Sequence, residues 1–186
     1  MKIRGRVSRT ALDVRQATPA DLAAIRSCYA DGRAVQRETG SPLWPEFTDS
    51  TILAEISSGA LYRVVDGSAF VGVFSAVYED EPIWGELERG AHIYLHRIAR
   101  SATYQGHGLV DVVIAWAIAH GEARGSEGLR MDTWASNDTL IAFYQKRGFG
   151  LVRTRRIPLD SPLSEHYRGN SFALLERPLE GKRKSQ

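Results

Sequence analysis

The stretch "LHRIARSATYQGHGLVDVVIAWAIAH" (95–120) constrains the fold more than any other part of the chain. It runs as an apolar-leaning strand, breaks at "YQGHG", and resumes with apolar residues at helical spacing. Gly106 and Gly108 flank His107 where the strand hands over to the helix. Two glycines there lower helix propensity and raise the entropic cost of ordering by roughly 0.5–1 kcal/mol each relative to alanine. An anion site offsets that cost, because free backbone N–H groups and the helix dipole converge on one spot and glycine lets the backbone come close to it. A plain strand-to-helix turn accounts for two glycines equally well. No Gly-Lys-Ser/Thr follows, which excludes a P-loop. Asp111 stands where a dinucleotide fingerprint needs a third Gly or Ala, and the turn lies past mid-chain, which disfavours a nucleotide dehydrogenase.

Around this unit the chain reads as one α/β domain of mixed sheet. A short strand over 11–17 precedes a helix in "TPADLAAIRSCYA", with Thr18 as N-cap, Pro19 at the first helical position and Asp21 in the first turn. "DGRAVQRETGSPLWPEFTDS" (31–50) reads as irregular, and "STILAEISSG" as another short helix. "ALYRVVDGSAFVGVFSAVYEDE" is a hairpin turning at Asp66-Gly67. An acidic, exposed segment, "EDEPIWGELERG", leads to the strand "AHIYLHRIAR" and then a helix over about 108–123. "GLRMDTWA" is a strand, "NDTLIAFYQKRG" a helix closed by Gly148, and "FGLVRTRRIPL" and "NSFALLERPL" supply two final strands. There is no repeat, low-complexity segment or linker.

With 186 residues, 43% hydrophobic and 25% charged, the chain can build one real core. A net charge of +2 is too small to argue for a nucleic-acid partner. The basic residues concentrate at the ends, so 1–10 and 180–186 are expected to be disordered tails flanking a domain over 11–179. No apolar run could span a bilayer, and no apolar segment follows the basic N-terminus as a secretory signal requires. The single cysteine, Cys28, excludes an internal disulfide framework and fits a reducing compartment. It falls in an amphipathic helical pattern, as a packed side chain. A cytoplasmic protein without membrane attachment is expected.

The string "RMDTWASNDTLIAFYQKRGF" (130–149), taken with "HRIARSATYQGHGLV" (96–110), resembles the GNAT superfamily of N-acyltransferases, which use acetyl-CoA or a related acyl-CoA. The resemblance covers about 13–179 and is most specific in the strand, Gln-Gly-x-Gly turn and helix over 98–111 and in Asn…Phe-Tyr-x-Lys-x-Gly-Phe over 137–149. It implies a single domain with a mixed, mostly antiparallel central sheet flanked by helices. It implies that Ile98, Ala99 and Arg100 pair through backbone groups with the pantetheine arm of acetyl-CoA, on a strand that splays from its neighbour. Gln105 and the amides of Gly106, His107, Gly108, Leu109, Val110 and Asp111 then cradle the pyrophosphate. Asn137 touches the coenzyme arm or positions the following helix, where Tyr144 faces the thioester sulfur. The chain departs from the pattern at Val110, usually small, at Leu140, commonly alanine, and at Arg100, usually apolar. Backbone donation survives the first two changes.

Moving an acyl group from a thioester to an amine needs a neutral amine, donors for an oxyanion, and a proton for the leaving thiolate. Free backbone amides on a splayed strand supply the donors. A phenol with an ordinary pKa of about 10 can protonate a thiolate of about 8.5, which makes Tyr144 the candidate general acid; simple packing beside Phe143 is the alternative. By the resemblance, Asp132 in "MDTWASN" occupies the position of the glutamate base in GNAT enzymes that acetylate protein N-termini. It is the first candidate base, through burial or an intervening water, or else a structural carboxylate. His96 is the second: in a regular strand His92, Tyr94, His96 and Ile98 share one face. His92 and His96 have a metal-like spacing, but in a strand they sit about 13 Å apart and cannot share an ion, so no metal is expected. His107 offers its backbone amide rather than its ring, and His120 and His166 carry no context.

On the acceptor side, the early helices and "GSPLWPEFTDS" shape the pocket by the resemblance, and Trp44 either walls it or packs its own loop. Glu79, Asp80, Glu81, Glu86 and Glu88 either draw in a cationic amine or cap a solvated hairpin. The leading reading is transfer of an acetyl group from acetyl-CoA to a small-molecule or peptide primary amine, by direct attack on the thioester, in a monomer or homodimer. The alternative is a catalytically silent acyl-CoA-binding module of the same fold.

Overall fold

The computed structural model describes residues 12–179, so the two expected tails, 1–10 and 180–186, lie outside the described residues. Among the described residues seven strands form one sheet: β1 (Asp13–Gln16), β2 (Leu61–Asp66), β3 (Ala69–Val77), β4 (His92–Arg100), β5 (Gly128–Trp134), β6 (Gly150–Arg156) and β7 (Ser171–Pro178). Their order is β1-β2-β3-β4-β5-β7-β6. Only β4 and β5 run parallel; the other neighbours are antiparallel. Among the same residues five α-helices flank the sheet: α1 (Leu22–Glu38), α2 (Asp49–Ser57), α3 (Glu81–Trp84), α4 (Leu109–Arg124) and α5 (Asp138–Gln145).

Each face of the sheet has its own core. Val113, Ile114 and Ala117 of α4 pack on Val64, Phe74, Ile93 and Leu95. On the other face Ile25, Cys28 and Tyr29 of α1 and Ile52 and Ile56 of α2 pack on Leu61, Val73 and Ala99. Cys28 is fully buried there, and burial pushes its thiol up to about 12, so it is packing rather than a nucleophile. Entry to α1 is a 3-10 turn over Pro19–Asp21. The Thr18 amide and hydroxyl both donate to Asp21 Oδ2 at 2.8 Å, and Arg63 on β2 donates to Oδ1 at 2.5 Å, which ties the helix start to the sheet.

Two segments differ from the sequence expectation. The stretch from Asp31 is not irregular at its start: α1 runs on to Glu38 through Gly32. A Cβ on Gly32 would lie 2.9 Å from Trp44 Cζ3, so the glycine gives the indole a seat on the helix at a modest cost in helix propensity. The acidic segment is not simply exposed either. Ile83 and Trp84 within it are 3% and 1% exposed and pack on Tyr94 and Leu174, and this anchor holds α3 against the sheet. Two apolar residues outweigh the acids around them because burial of each is worth a few kcal/mol, about 1.5–3 per large side chain.

The feature that positions everything else is the divergence of β4 from β5. They pair only at His92↔Gly128, Ile93↔Leu129 and Tyr94↔Arg130. Beyond that point β5 stays on β7 as far as Trp134↔Phe172, and β4 stays on β3 as far as Arg100↔Gly72. A bulge accompanies the divergence: His96 lies opposite Ser75 and Ala99 opposite Val73, so two residues of β4 face one of β3, and Arg97 has φ 50°. The bulge reverses the alternation. Ile98 packs with Leu95 on the α4 face, while Ala99 joins the α1 face. The regular-strand expectation that Ile98 shares a face with His92, Tyr94 and His96 therefore fails.

Candidate active site

At the open end of β4 the two glycines serve different purposes. Gly108 is the N-cap of α4 with φ 90° and ψ 5°, a left-handed conformation that excludes most side chains, although a Cβ there would meet nothing within 4 Å. Gly106 has no such backbone demand; a Cβ on it would fall 2.2 Å from the Tyr104 ring, which lies against it. The Gly108 carbonyl accepts from the Val112 amide at 3.0 Å. The amides of Gly108, Leu109, Val110 and Asp111 precede that first helical bond and have no helical acceptor, so they point outward along the dipole. Leu109 is buried against Gly72, whereas Gln105 and His107 are exposed.

Arg100, the unexpected residue on this strand, has a visible task. Its guanidinium donates to the carbonyls of Tyr104 (3.2 Å) and Gly106 (3.3 Å) and clasps the turn from outside. Arg147, after α5, grips Asp111 at 2.7 Å, lies over the Phe143 ring at 3.5 Å, and so ties α4 to α5.

A cleft of about 1260 Å³ occupies the gap between the strands. It brings together Ile98, Ala99 and Arg100 on β4, Asp132 on β5, and Asn137 and Tyr144 around α5. Asn137 is the N-cap of α5, its Oδ1 accepting from the Leu140 amide at 3.0 Å, so its side chain positions the helix. Tyr144 is 8% exposed and meets Phe143 and Phe149 edge-on with centroids at 5.3 and 5.8 Å. Packing and cleft lining are thus properties of the same side chain. Burial pushes its phenol up to about 12, which keeps the proton on the oxygen at neutral pH.

Deeper in the cleft His96 stands between two carboxylates. Its Nε2 is 3.3 Å from Asp80 Oδ2 and its Nδ1 is 3.3 Å from Asp132 Oδ1, with the three side chains 15%, 11% and 7% exposed. Burial alone would lower the imidazole, but its contacts with Asp132 and Asp80 outweigh burial and raise it to about 9. Burial in turn pushes Asp80 up, against the pull of His96. Two carboxyl groups thus face one imidazole across the cluster. Its ligand atoms lie within 4.8 Å of one another, but a protonated imidazole has no lone pair to give a metal, so an ion would first have to displace that proton.

The rest of the cleft is assembled from segments far apart in sequence. Arg97, turned onto the His96 face by the bulge, donates to Glu55 Oε1 of α2 at 2.8 Å and rests over Phe47 (4.9 Å) and Tyr29 (5.8 Å). Trp44 lines the cleft while packing edge-on to Tyr29. The connection between β6 and β7 brings in His166 and Tyr167. Ser164 Oγ lies 2.9 Å from His166 Nδ1; burial lowers the His166 imidazole and raises the Tyr167 phenol.

Asp80, Arg97, His166 and Tyr167 were not among the residues the sequence singled out as catalytic. Asp80 looked like one acid in five. Of that group it alone lines the cleft; Glu88 accepts from the Tyr94 hydroxyl at 2.6 Å, and Glu86 pairs with Arg153. His120 lies elsewhere, stacked on Trp116 at 4.6 Å and bonded to the Tyr78 hydroxyl at 2.9 Å. No helix among the described residues is long and apolar enough to cross a membrane.

Comparison with known proteins bears on this geometry. The acetyltransferase (GNAT) family model matches residues 27–149. An uncharacterized N-acetyltransferase of Bacillus subtilis (strain 168), YesJ, is 34% identical over 70 residues; the match spans 38% of this chain and 39% of that relative's length. Among solved structures, a GNAT-family acetyltransferase of Listeria monocytogenes 4b F2365 superimposes with a TM-score of 0.74 at 23% identity, over 91% of this chain and 96% of its own. A Salmonella typhimurium protein solved with its cofactor acetyl-CoA gives 0.64 at 15% identity, over 95% and 99% of the two chains. At these identities the structural likeness speaks for a shared fold.

Proposed function

The chain belongs to the acetyltransferase (GNAT) family, and from that premise we propose that it transfers an acetyl group from acetyl-CoA to a primary amine by direct attack on the thioester. The observation that carries this reading is the gap opened where the β4–β5 ladder stops at Tyr94↔Arg130. Its lining takes in Arg100 and Ala102 at the end of β4, Tyr144, and the Asp80–His96–Asp132 cluster, and the first amides of α4 follow β4 directly along the chain. The pyrophosphate of acetyl-CoA lies on the amides from Gly106 to Asp111, and the pantetheine arm runs along Ile98, Ala99 and Arg100. The Salmonella typhimurium relative, solved with acetyl-CoA, supports the choice of coenzyme.

An ammonium is drawn to the carboxyl groups of Asp80 and Asp132 around His96. Asp132, directly or through a water, accepts a proton from it, since His96 is already protonated below pH about 9. The amine nitrogen then bonds to the thioester carbonyl carbon, whose oxygen takes the developing charge toward main-chain donors of the splayed strand. The C–S bond breaks as Tyr144 gives its proton to the sulfur, the nitrogen's second proton restores the Tyr144 phenol through water, and the proton on Asp132 leaves to solvent. Asp80 acts here through His96, fixing the ring against Asp132.

Thermal unfolding with acetyl-CoA, against ATP and NAD, tests the coenzyme. A ligand at 100 times its Kd stabilises the native state by about 2.7 kcal/mol. A shift specific to acetyl-CoA, followed by thiol release with at least one member of an amine panel, is the expected result. A shift without release from any amine supports the silent binding module, and no specific shift overturns the transferase reading.

A further inference from the structure

The acceptor end of the cleft holds a cation that acetyl transfer does not itself require. Arg97 takes the left-handed conformation, at φ 50°, that long side chains rarely adopt. The consequence is geometric. In a regular strand consecutive side chains point to opposite faces, but the bulge turns Arg97 onto the face of His96, where it rests over Tyr29 and Phe47. A guanidinium and the Asp80–His96–Asp132 cluster thus line the same cleft, and His166 and Tyr167 lie in the field of both Arg97 and Asp132.

Arg97 is held but not used up. Its Nη2 donates to Glu55 Oε1 at 2.8 Å, and the Phe47 and Tyr29 rings fix the guanidinium from the side. A guanidinium has five N–H donors in a planar fork, and the side chain is 19% exposed where it lines the cleft. A preorganised fork with spare donors suits a planar carboxylate, which it can bind in a bidentate fashion.

We infer that the acceptor is a free α-amino acid, whose carboxylate is bound by Arg97 while its amine lies at the carboxylates flanking His96. The inference rests on the transferase reading above and names its substrate class. A zwitterion carrying both charges on one carbon suits a cleft that offers sites of opposite sign around His166 and Tyr167. A peptide N-terminus does not, because its α-carbon carries a neutral amide, and a lysine side chain within a protein has no carboxylate near its amine.

The test is steady-state thiol release by the full chain with acetyl-CoA, each of the common L-amino acids being set against its own α-carboxamide. For the best substrates kcat/KM for the acid should exceed that for the amide at least tenfold. Arg97→Gln should bring the ratio to within about twofold, mostly through KM for the acid, and Arg97→Lys should keep part of it. If Arg97→Gln does not fold, the wild-type ratio and Arg97→Lys carry the test. Amides used as well as or better than acids overturn the inference while leaving the transferase reading intact. An acid preference that survives Arg97→Gln also overturns it, since the carboxylate is then bound elsewhere. Thiol release from no amine at all removes both readings together.

Discussion

The two ends of the cleft are built in opposite ways. The end assigned to the coenzyme is a continuous piece of chain: the end of β4, the turn, and the first residues of α4 lie within 98–111, and the groups offered are backbone amides. The acceptor end draws Glu55 from α2, Asp80 from before α3, His96 and Arg97 from β4, Asp132 from β5, and His166 and Tyr167 from the β6–β7 connection. Its chemistry is carried by side-chain charge. A local backbone device depends on the conformation at Gly108 and on the start of the helix more than on particular side chains. A charge cluster gathered by topology can change its ligand through single substitutions. The contrast teaches that coenzyme and acceptor preferences of such a cleft are separable, and separability can be tested.

The sharpest break should come at Asp132. Asp132→Asn removes the candidate base and one of the two carboxylates holding His96. Thiol release should fall by about 10²–10⁴-fold, the usual worth of general acid–base assistance, while the acetyl-CoA-dependent rise in Tm persists. Loss of the coenzyme shift in this variant would show that the two ends are not separable.

Next in size is a pH effect confined to the acceptor end. The folded His96 pKa, about 9, lies above the ordinary 6.5. Its contribution to stability is therefore fully present below pH about 6.5 and lost as pH rises through about 9. The whole effect is on the order of 3 kcal/mol. Urea midpoints at pH 6 and pH 10 should fall further for the wild type than for His96→Gln. Equal slopes would mean that Asp80 and Asp132 do not hold a charged ring.

At the coenzyme end the corresponding variant is Gly108→Val. At φ 90° a β-branched residue adds about 1–3 kcal/mol of backbone strain. Acetyl-CoA affinity should drop at least tenfold, about 1.4 kcal/mol, as a titrated thermal shift would show, with the ranking of amine acceptors unchanged. A changed ranking would contradict the comparison from the other side.

The same contrast explains what could be read from the chain. The sheet elements, the hairpin at Asp66-Gly67, α4 and α5 depend on periodicity and turn residues close in sequence, and each is found where the pattern puts it. The string from Asn137 to Phe149 and the glycine turn carried the family resemblance for the same reason. The pairing of Asp80 with His96 was not legible, because Asp80 stands among four other acids and its contact with a residue of β4 is set by tertiary packing. The bulge at Arg97 had no glycine to announce it, so the face assigned to Ile98 was wrong. The stretch from Asp31 read as irregular because the reason for Gly32, the Trp44 indole seated on it, lies elsewhere along the chain. His166 had no context until β6 and β7 were paired.

The smallest expected effect probes whether the local device is purely backbone. Arg100 is exposed and bonds two carbonyls of the turn, Tyr104 at 3.2 Å and Gly106 at 3.3 Å. Long exposed hydrogen bonds of this kind lie at or below the low end of about 0.5–1.5 kcal/mol each, so Arg100→Ala should lower stability by less than about 1 kcal/mol. Its effect on acetyl-CoA should be a two- to fivefold loss of affinity, because the clasp holds the carbonyls back and thereby sets the direction of the adjoining amides. Arg100→Lys separates geometry from charge. Lysine keeps the positive charge but lacks the planar fork that reaches two carbonyls at once. If Lys behaves like Ala, Arg100 works by shaping the turn, and the coenzyme end is a backbone device that recruits one side chain as a brace. If Lys restores affinity, and the restoration fades with added salt as exposed charge effects do, then Arg100 attracts the pyrophosphate directly and the coenzyme end also relies on side-chain charge.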